Sequence, residues 1–212
     1  KKLCLALSGA LCLSAGVGCG TETAEETLTP VRLNEVVHSV FYAPQYVAQE
    51  LGFFEEEGLN VSVAVGKGAD KSMTALLSDS ADIALLGTEA GLYVYAEGKA
   101  DYPKTFAQLT QRAGNFLVSR EDEPDFQWSD LERKSVIGGR LGGMPEMVLE
   151  YVIKENGMTI GKDMEIINNI DFTSTAGAFL GEVGDYTVEF EPAATTLEQS
   201  GKGHIVASLG EA

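Results

Sequence analysis

From Pro30 onward, short β-branched or apolar runs alternate with amphipathic helical segments, and this alternation constrains the chain more than any other feature. Val31–Val37, Val61–Val65 and Asp82–Leu86 read as strands, separated by helices at Ala43–Leu51 and Ala69–Leu77 and followed by a helix at Ala90–Ala96. Thr105–Gln111 and Phe116–Ser119 read as two further strands. The polar, proline-containing stretch Arg120–Asp125 then breaks the rhythm and is the expected boundary. Beyond it come strands at Ser135–Gly138, Met164–Ile170, Tyr186–Phe190 and Ile205–Leu209. Helices at Met144–Glu155, Thr175–Leu180 and Ala193–Gln199 lie between them. Strand alternating with helix means parallel sheets covered on both faces. The expected class is therefore α/β, with two doubly wound lobes, 31–120 and 121–212, facing each other across a cleft. In such lobes ligands meet the loops at the carboxyl ends of the strands.

The start of the chain follows another logic. Lys1 and Lys2 precede an apolar run from Leu3 to Val17 that is too short and too glycine-rich to span a bilayer comfortably. Gly16 and Gly18 lead into Cys19, after which the chain turns polar. Residues 1–18 read as a bacterial lipoprotein signal with Cys19 as the lipidated terminus, although Gly16 stands where Leu is commonest. Residues 19–30 read as a tether. All three cysteines (Cys4, Cys12 and Cys19) lie in or at the end of this leader. The remainder has no thiol for a disulfide, a zinc site or a nucleophile. The formal net charge of −17, with no basic run, excludes nucleic acid and a basic membrane-docking face. Loss of the two leader lysines makes the remainder more negative still.

Function is therefore sought in the strand-to-helix loops. The first, His38 to Pro44, offers Ser39, Phe41 and Tyr42 before a helix start whose free N–H groups suit an anionic or carbonyl-bearing ligand. The alternative is that Phe41 and Tyr42 are packing residues and His38 a strand-end histidine. The second, Gly66 to Asp70, has two glycines that let backbone approach a ligand closely, or is a turn capped by Asp70. Thr88 in the third either caps its helix or reaches the cleft. The loop from Gly138 to Glu146 has four glycines and one arginine. It reads as an exposed backbone nest with Arg140 available for an anionic group. Glu191 precedes the last helix and either accepts hydrogen bonds from a ligand or caps that helix.

For catalysis the inventory is thin. His38 and His204 are the only histidines. The sequence contains no HExxH, no metal-ligand spacing, no GxSxG elbow, no P-loop and no GxGxxG. The expectation is no enzyme, no cofactor and no metal.

The runs SVFYAPQYVAQELGFFEEEGLNV and GKGADKSMTALLSDSADIALLG, with IGGRLGGMPEMVLEYVIKENGM and FEPAATTLEQSGKGHIVASLGE, carry a resemblance. They resemble the substrate-binding proteins of ABC transporters, of the nitrate/sulfonate/taurine and thiamine-pyrimidine type, over roughly Leu33 to Glu211. The resemblance implies a type II periplasmic-binding-protein-like fold and a small solute held by Ser39, Phe41, Tyr42, Gly68, Ala69, Thr88, Gly139, Arg140 and Glu191. It implies a lipid-anchored, extracytoplasmic monomer that closes on a sulfonate, nitrate, taurine or pyrimidine-like solute and passes it to a permease and its ATPase. In that family the chain recrosses the hinge after the second lobe. A sequence stopping at Ala212 is expected to be C-terminally truncated, with an incomplete first lobe. Two other classes share the fold or the leader: a precursor-biosynthesis enzyme using a histidine or carboxylate, and a surface lipoprotein acting as sensor or adhesin.

Overall fold

The computed structural model describes residues 27–212. The leader, Cys19 and most of the expected tether lie outside the described residues.

Two sheets form. The first has the order β2-β1-β3, with β1 (Thr29–Glu35) parallel to both β2 (Leu59–Val65) and β3 (Ile83–Leu85). Strand β1 begins at Thr29, inside the expected tether. Pro30 is tolerated because β3 joins β1 only from Leu33 onward, so its missing N–H leaves no ladder bond unmade. Helices α1 (Ala43–Glu50), α2 (Phe53–Glu56), α3 (Ala69–Leu77) and α4 (Thr88–Ala96) connect and cover these strands. Gly52 turns the chain between α1 and α2 at φ 77°, a left-handed conformation that suits glycine.

The second sheet has the order β6-β5-β7-β4-β8, built from β4 (Asn115–Ser119), β5 (Ser135–Ile137), β6 (Glu165–Ile167), β7 (Tyr186–Phe190) and β8 (His204–Ser208). Strand β5 runs parallel to β6 and β7, whereas β4 runs antiparallel to β7 and β8. This sheet is thus mixed rather than all-parallel. Strand β4 enters directly from the irregular segment before it, with no crossover helix to set a parallel direction. It also moves the change of sheet ahead of Asn115, one strand earlier than the boundary expected at Arg120–Asp125. That stretch is a connection leaving β4.

Period-two burial explains why the second sheet is the better packed. Leu117 and Val136 face one side with Leu149 and Ile153 of α5 (Met144–Glu155). Val118 and Ile137 face the other with Phe179 of α6 (Thr175–Leu180) and Leu197 of α7 (Ala193–Gln199). In the first lobe, by contrast, Leu92, Tyr95 and Phe106 are more than half exposed. The strand expected at Thr105–Gln111 does not form. This segment is irregular, and no backbone ladder joins it to either sheet. Its alternating sequence had a strand's period but no partner edge.

Phe179 is fully buried with the Arg120 guanidinium 4.1 Å above its ring. Phe179→Ala is expected to cost about 3–5 kcal/mol in chemical denaturation, whereas Phe106→Ala, at 77% exposure, stays within about 0.5 kcal/mol.

Candidate solute-binding cleft

Two separate networks join the lobes. Arg140, at the head of the glycine loop, pairs with both carboxylate oxygens of Asp70 in the first turn of α3, and with Asp171 at 3.1 Å. Lys71 donates to both oxygens of Asp171 at 2.9 Å. Lys71 and Arg140 together hold the Asp171 carboxyl below the usual carboxylate range. On the other side Ser39, 2% exposed, donates its hydroxyl to the Glu191 carbonyl. The same Oγ accepts from Phe41 N at 3.3 Å and so caps the 3-10 turn Val40–Tyr42.

A cavity of about 840 Å³ takes in residues of both lobes. Phe41, Tyr42, Phe172 and Phe190 wall it. The Phe41–Phe190 and Phe172–Phe190 ring centroids are each 5.6 Å apart, and Phe41–Tyr42 5.5 Å. Two glycines make this box possible. Any Cβ at Gly114 would strike the Phe41 ring, and one at Gly139, which has φ 91°, would lie 2.6 Å from Phe172. Lys104 and Arg112 reach the cavity from the irregular segment and are exposed.

Of the expected site residues, Phe41, Tyr42, Ala69 and Thr88 line this cavity. The other five make contacts around it. Ser39 is engaged with the far lobe, Gly68 packs against the Arg140 side chain, and Gly139 accommodates Phe172. Glu191 caps α7, accepting from Thr195 N at 3.1 Å and Thr195 Oγ1 at 2.7 Å. Nor is the glycine loop an open nest. The N–H groups of Gly138, Leu141 and Gly143 donate to backbone carbonyls, and Gly142 N donates to the buried Glu146. Arg140, read as available for an anion, is taken by two aspartates.

Sequence reasoning missed Phe172 and Phe190, although both flank strand ends where ligands are sought. It also missed three buried carboxylates. Glu35, fully buried at the end of β1, accepts from Tyr46 at 2.8 Å and from Gln45 at 3.0 Å, with His38 Nδ1 at 3.0 Å. Burial, with Glu35 beside it, pushes the Tyr46 phenol up to about 12. Glu89, the second residue of α4, is 4% exposed and borders the cavity. No hydrogen bond closes on either of its oxygens. Burial raises its pKa, opposed by the nearby backbone N–H groups of Glu89 itself and Met144. Tyr42, near both Glu35 and Glu89, is raised mainly by its own burial and further by these carboxylates. Asn115, 1% exposed and also lining the cavity, has neither amide atom partnered. Glu189 lies one residue behind Phe190 and accepts from Thr187 and Thr175.

The pattern of the family described as NMT1/THI5 like matches residues 40–206, most of the chain and both sides of the cleft. The chain belongs to the NMT1/THI5-like family. It is 53% identical over 187 residues, 88% of its length, to a Bacillus subtilis (strain 168) protein named "Putative binding protein YtlA", and spans 56% of that protein. Its fold matches the nitrate-binding protein NrtA from Synechocystis PCC 6803 with a TM-score of 0.69 at 19% identity, over 84% of this chain and 51% of that one. It also matches the alkanesulfonate-binding protein SsuA from Xanthomonas axonopodis pv. citri bound to MOPS, with a TM-score of 0.63 at 16% identity, over 86% and 61%. At these identities the likeness is one of fold, and the fold is the two-lobed periplasmic-binding-protein type. The chain spans little more than half the length of the relatives it matches.

Burial pushes the Glu189 carboxyl up to about 7. Since the folded pKa lies above the unfolded value, the native state holds a proton that the unfolded chain has released. Stability therefore falls as pH rises from about 4.5 to about 7. Denaturation midpoints of wild type and Glu189→Gln should diverge over that window, with a difference on the order of 3 kcal/mol by pH 8.

Proposed function

We propose that this chain is the solute-binding part of an ABC importer, which captures a small organic molecule in the cleft and presents it to a permease and its ATPase. The observation that carries this reading is the aromatic-walled cavity of about 840 Å³, bordered by residues of both lobes and large enough for a small solute. Family membership and the fold likeness support it. Closure of two lobes around a bound solute is a hinge motion, and the two inter-lobe networks are the contacts it would make and break. The two solute classes read from the sequence, oxyanion and flat heterocycle, differ in charge but share a planar or compact shape that fits between Phe41, Phe172 and Phe190.

An extracytoplasmic location with Cys19 as lipid anchor belongs to the same reading. No helix among the described residues is long and apolar enough to cross a membrane. A bacterially expressed chain should partition into the detergent phase on cloud-point extraction, and Cys19→Ala should move it to the aqueous phase. The enzymatic alternative, in its histidine form, needs His38 against the solute. His38 does not line the cavity; its ring lies over Tyr46 at 4.4 Å and its side chain is 71% exposed.

Native mass spectrometry and a thermal-shift screen of sulfonates, nitrate, taurine and nitrogen heterocycles test the proposal. One bound molecule per chain and stabilisation by one class are expected, because a ligand that binds only the native state raises its stability. Phe190→Ala should weaken that ligand about tenfold or more while the protein still melts cooperatively. A cooperative melt that no compound shifts would falsify the reading.

A further inference from the structure

One hydroxyl in the second lobe stands between two acceptors. Thr175 Oγ1, in the first residue of α6, lies 3.0 Å from the Phe172 carbonyl oxygen and 3.1 Å from Glu189 Oε2. A threonine hydroxyl has one hydrogen and two lone pairs, so it donates to one of these oxygens and accepts at the other. A carbonyl can only accept. Both contacts are therefore hydrogen bonds only when the Glu189 carboxyl carries a proton on Oε2 and donates it to Thr175. On the other side of the carboxyl, Thr187 Oγ1 donates to Glu189 Oε1 at 2.8 Å. The hydrogens then run one way, from Thr187 to Glu189 to Thr175 to the Phe172 carbonyl. All three side chains of this relay are buried, Thr175 and Thr187 completely. No counter-charge meets Glu189. Strands β4 and β5 and helix α6, which flank β7, contain no charged residue, and α7 has only Glu198, which accepts from Ile205 N. Tyr186 of β7 turns to Glu123, Glu191 to Thr195, and Asp171 to Lys71 and Arg140. Burial outweighs the two threonine contacts and keeps the proton on the carboxyl up to about pH 7.

What the relay holds is the turn where the lobes meet. Phe172 packs with Val36 and Ala69 of the first lobe and walls the cavity beside Phe190. Asp171, the residue before it, receives Lys71 of the first lobe and Arg140. We infer that Glu189 is a positioning residue of the cleft, a neutral acid that fixes Phe172 through Thr175 and loosens this wall when it ionises. An ionised Glu189 has no hydrogen to give and draws that of Thr175, because a hydrogen bond to a carboxylate is the stronger one. The Phe172 carbonyl then loses its bond to the hydroxyl. Solute capture should accordingly be tighter below about pH 7 than above it. That consequence rests on the cleft being a solute site, whereas the relay does not.

Fluorine NMR of the chain labelled with para-fluorophenylalanine tests the relay, with the Phe172 resonance assigned by its loss in Phe172→Leu. In the wild type that resonance should move in one step centred near pH 7. Glu189→Gln presents an acceptor to Thr187 and an N–H donor to Thr175 at every pH, so its Phe172 resonance should show no step. Thr175→Val keeps the side-chain shape and the titrating acid but cuts the relay, and the step should be lost there as well. A wild-type resonance without a step near pH 7, or a step that persists in Glu189→Gln, overturns the assignment to Glu189. A step of full size in Thr175→Val shows that Phe172 senses the charge directly and overturns the relay. The signal belongs to the protein itself, so these outcomes are separate from the thermal-shift screen, in which failure of the solute site would appear.

Discussion

Everything about the cleft depends on the pairing of Arg140 with Asp70 and Asp171. Arg140 leaves the end of β5 on the second lobe. Asp70 opens α3 on the first, and Asp171 opens the turn before α6. The guanidinium fork meets one carboxylate with two parallel bonds and the other with a third, and Lys71 completes the ring of charge. The groups are a quarter to under half exposed. The cluster is thus open to screening by salt, and its part is geometric more than energetic. It fixes the distance between strand ends, and so the width of the aromatic box behind it. A deeply buried apolar interface would hold the lobes in one arrangement, and contacts of this modest strength do not.

The two lobes are not equally finished, and the reason is visible in how each sheet is covered. Strands β4 and β5 alternate apolar residues to both sides, β7 adds Tyr186 and Val188 to one of them, and the sheet finds α5 on that face and α6 and α7 on the other. The three-stranded sheet has a small shared cluster of Val36, Ala69 and Phe172, and one of its three members comes from the opposite lobe. Apolar area removed from water is the dominant stabilising contribution. The second lobe is therefore the stable body, and the first is held partly by its contact with it.

Much of this was legible in the sequence where the signal was local. Met144–Glu155 carries apolar residues at helical spacing after Pro145 near its first turn, and the helix occupies that range. The ranges of α3, α6, α7 and β7 were read equally well. What failed was non-local. Phe116–Ser119 has a strand's alternation, but nothing in these four residues says which sheet they join or in which direction, and β4 went to the second sheet, antiparallel to β7. Thr105–Gln111 shows the same limit from the other side, since period two without a free edge to pair with gives no strand. The site followed suit. Aromatics before a helix were readable, so Phe41 and Tyr42 were found. Arg140 could be recognised as a cation but not as one already paired, because Asp70 and Asp171 lie 70 and 31 residues away.

Glu89 was invisible for a different reason. An acidic residue in the first turn of a helix ordinarily complements the positive end of the helix dipole from the solvent side, and this chain is rich in acids. What distinguishes Glu89 is burial without a partner, which only the packing of α4 against the start of α5 creates. A carboxylate so placed is tolerated in the unliganded protein by the two helix starts, whose N–H groups lower its pKa against the effect of burial. The same placement decides what the helix starts can do for a ligand. In a cleft where they are free, they attract anions. Here their charge is already answered by Glu89, and the guanidinium of the glycine loop by Asp70 and Asp171. A fold shared with a nitrate binder and an alkanesulfonate binder thus presents helix starts whose charge is already met by a side chain of the protein itself.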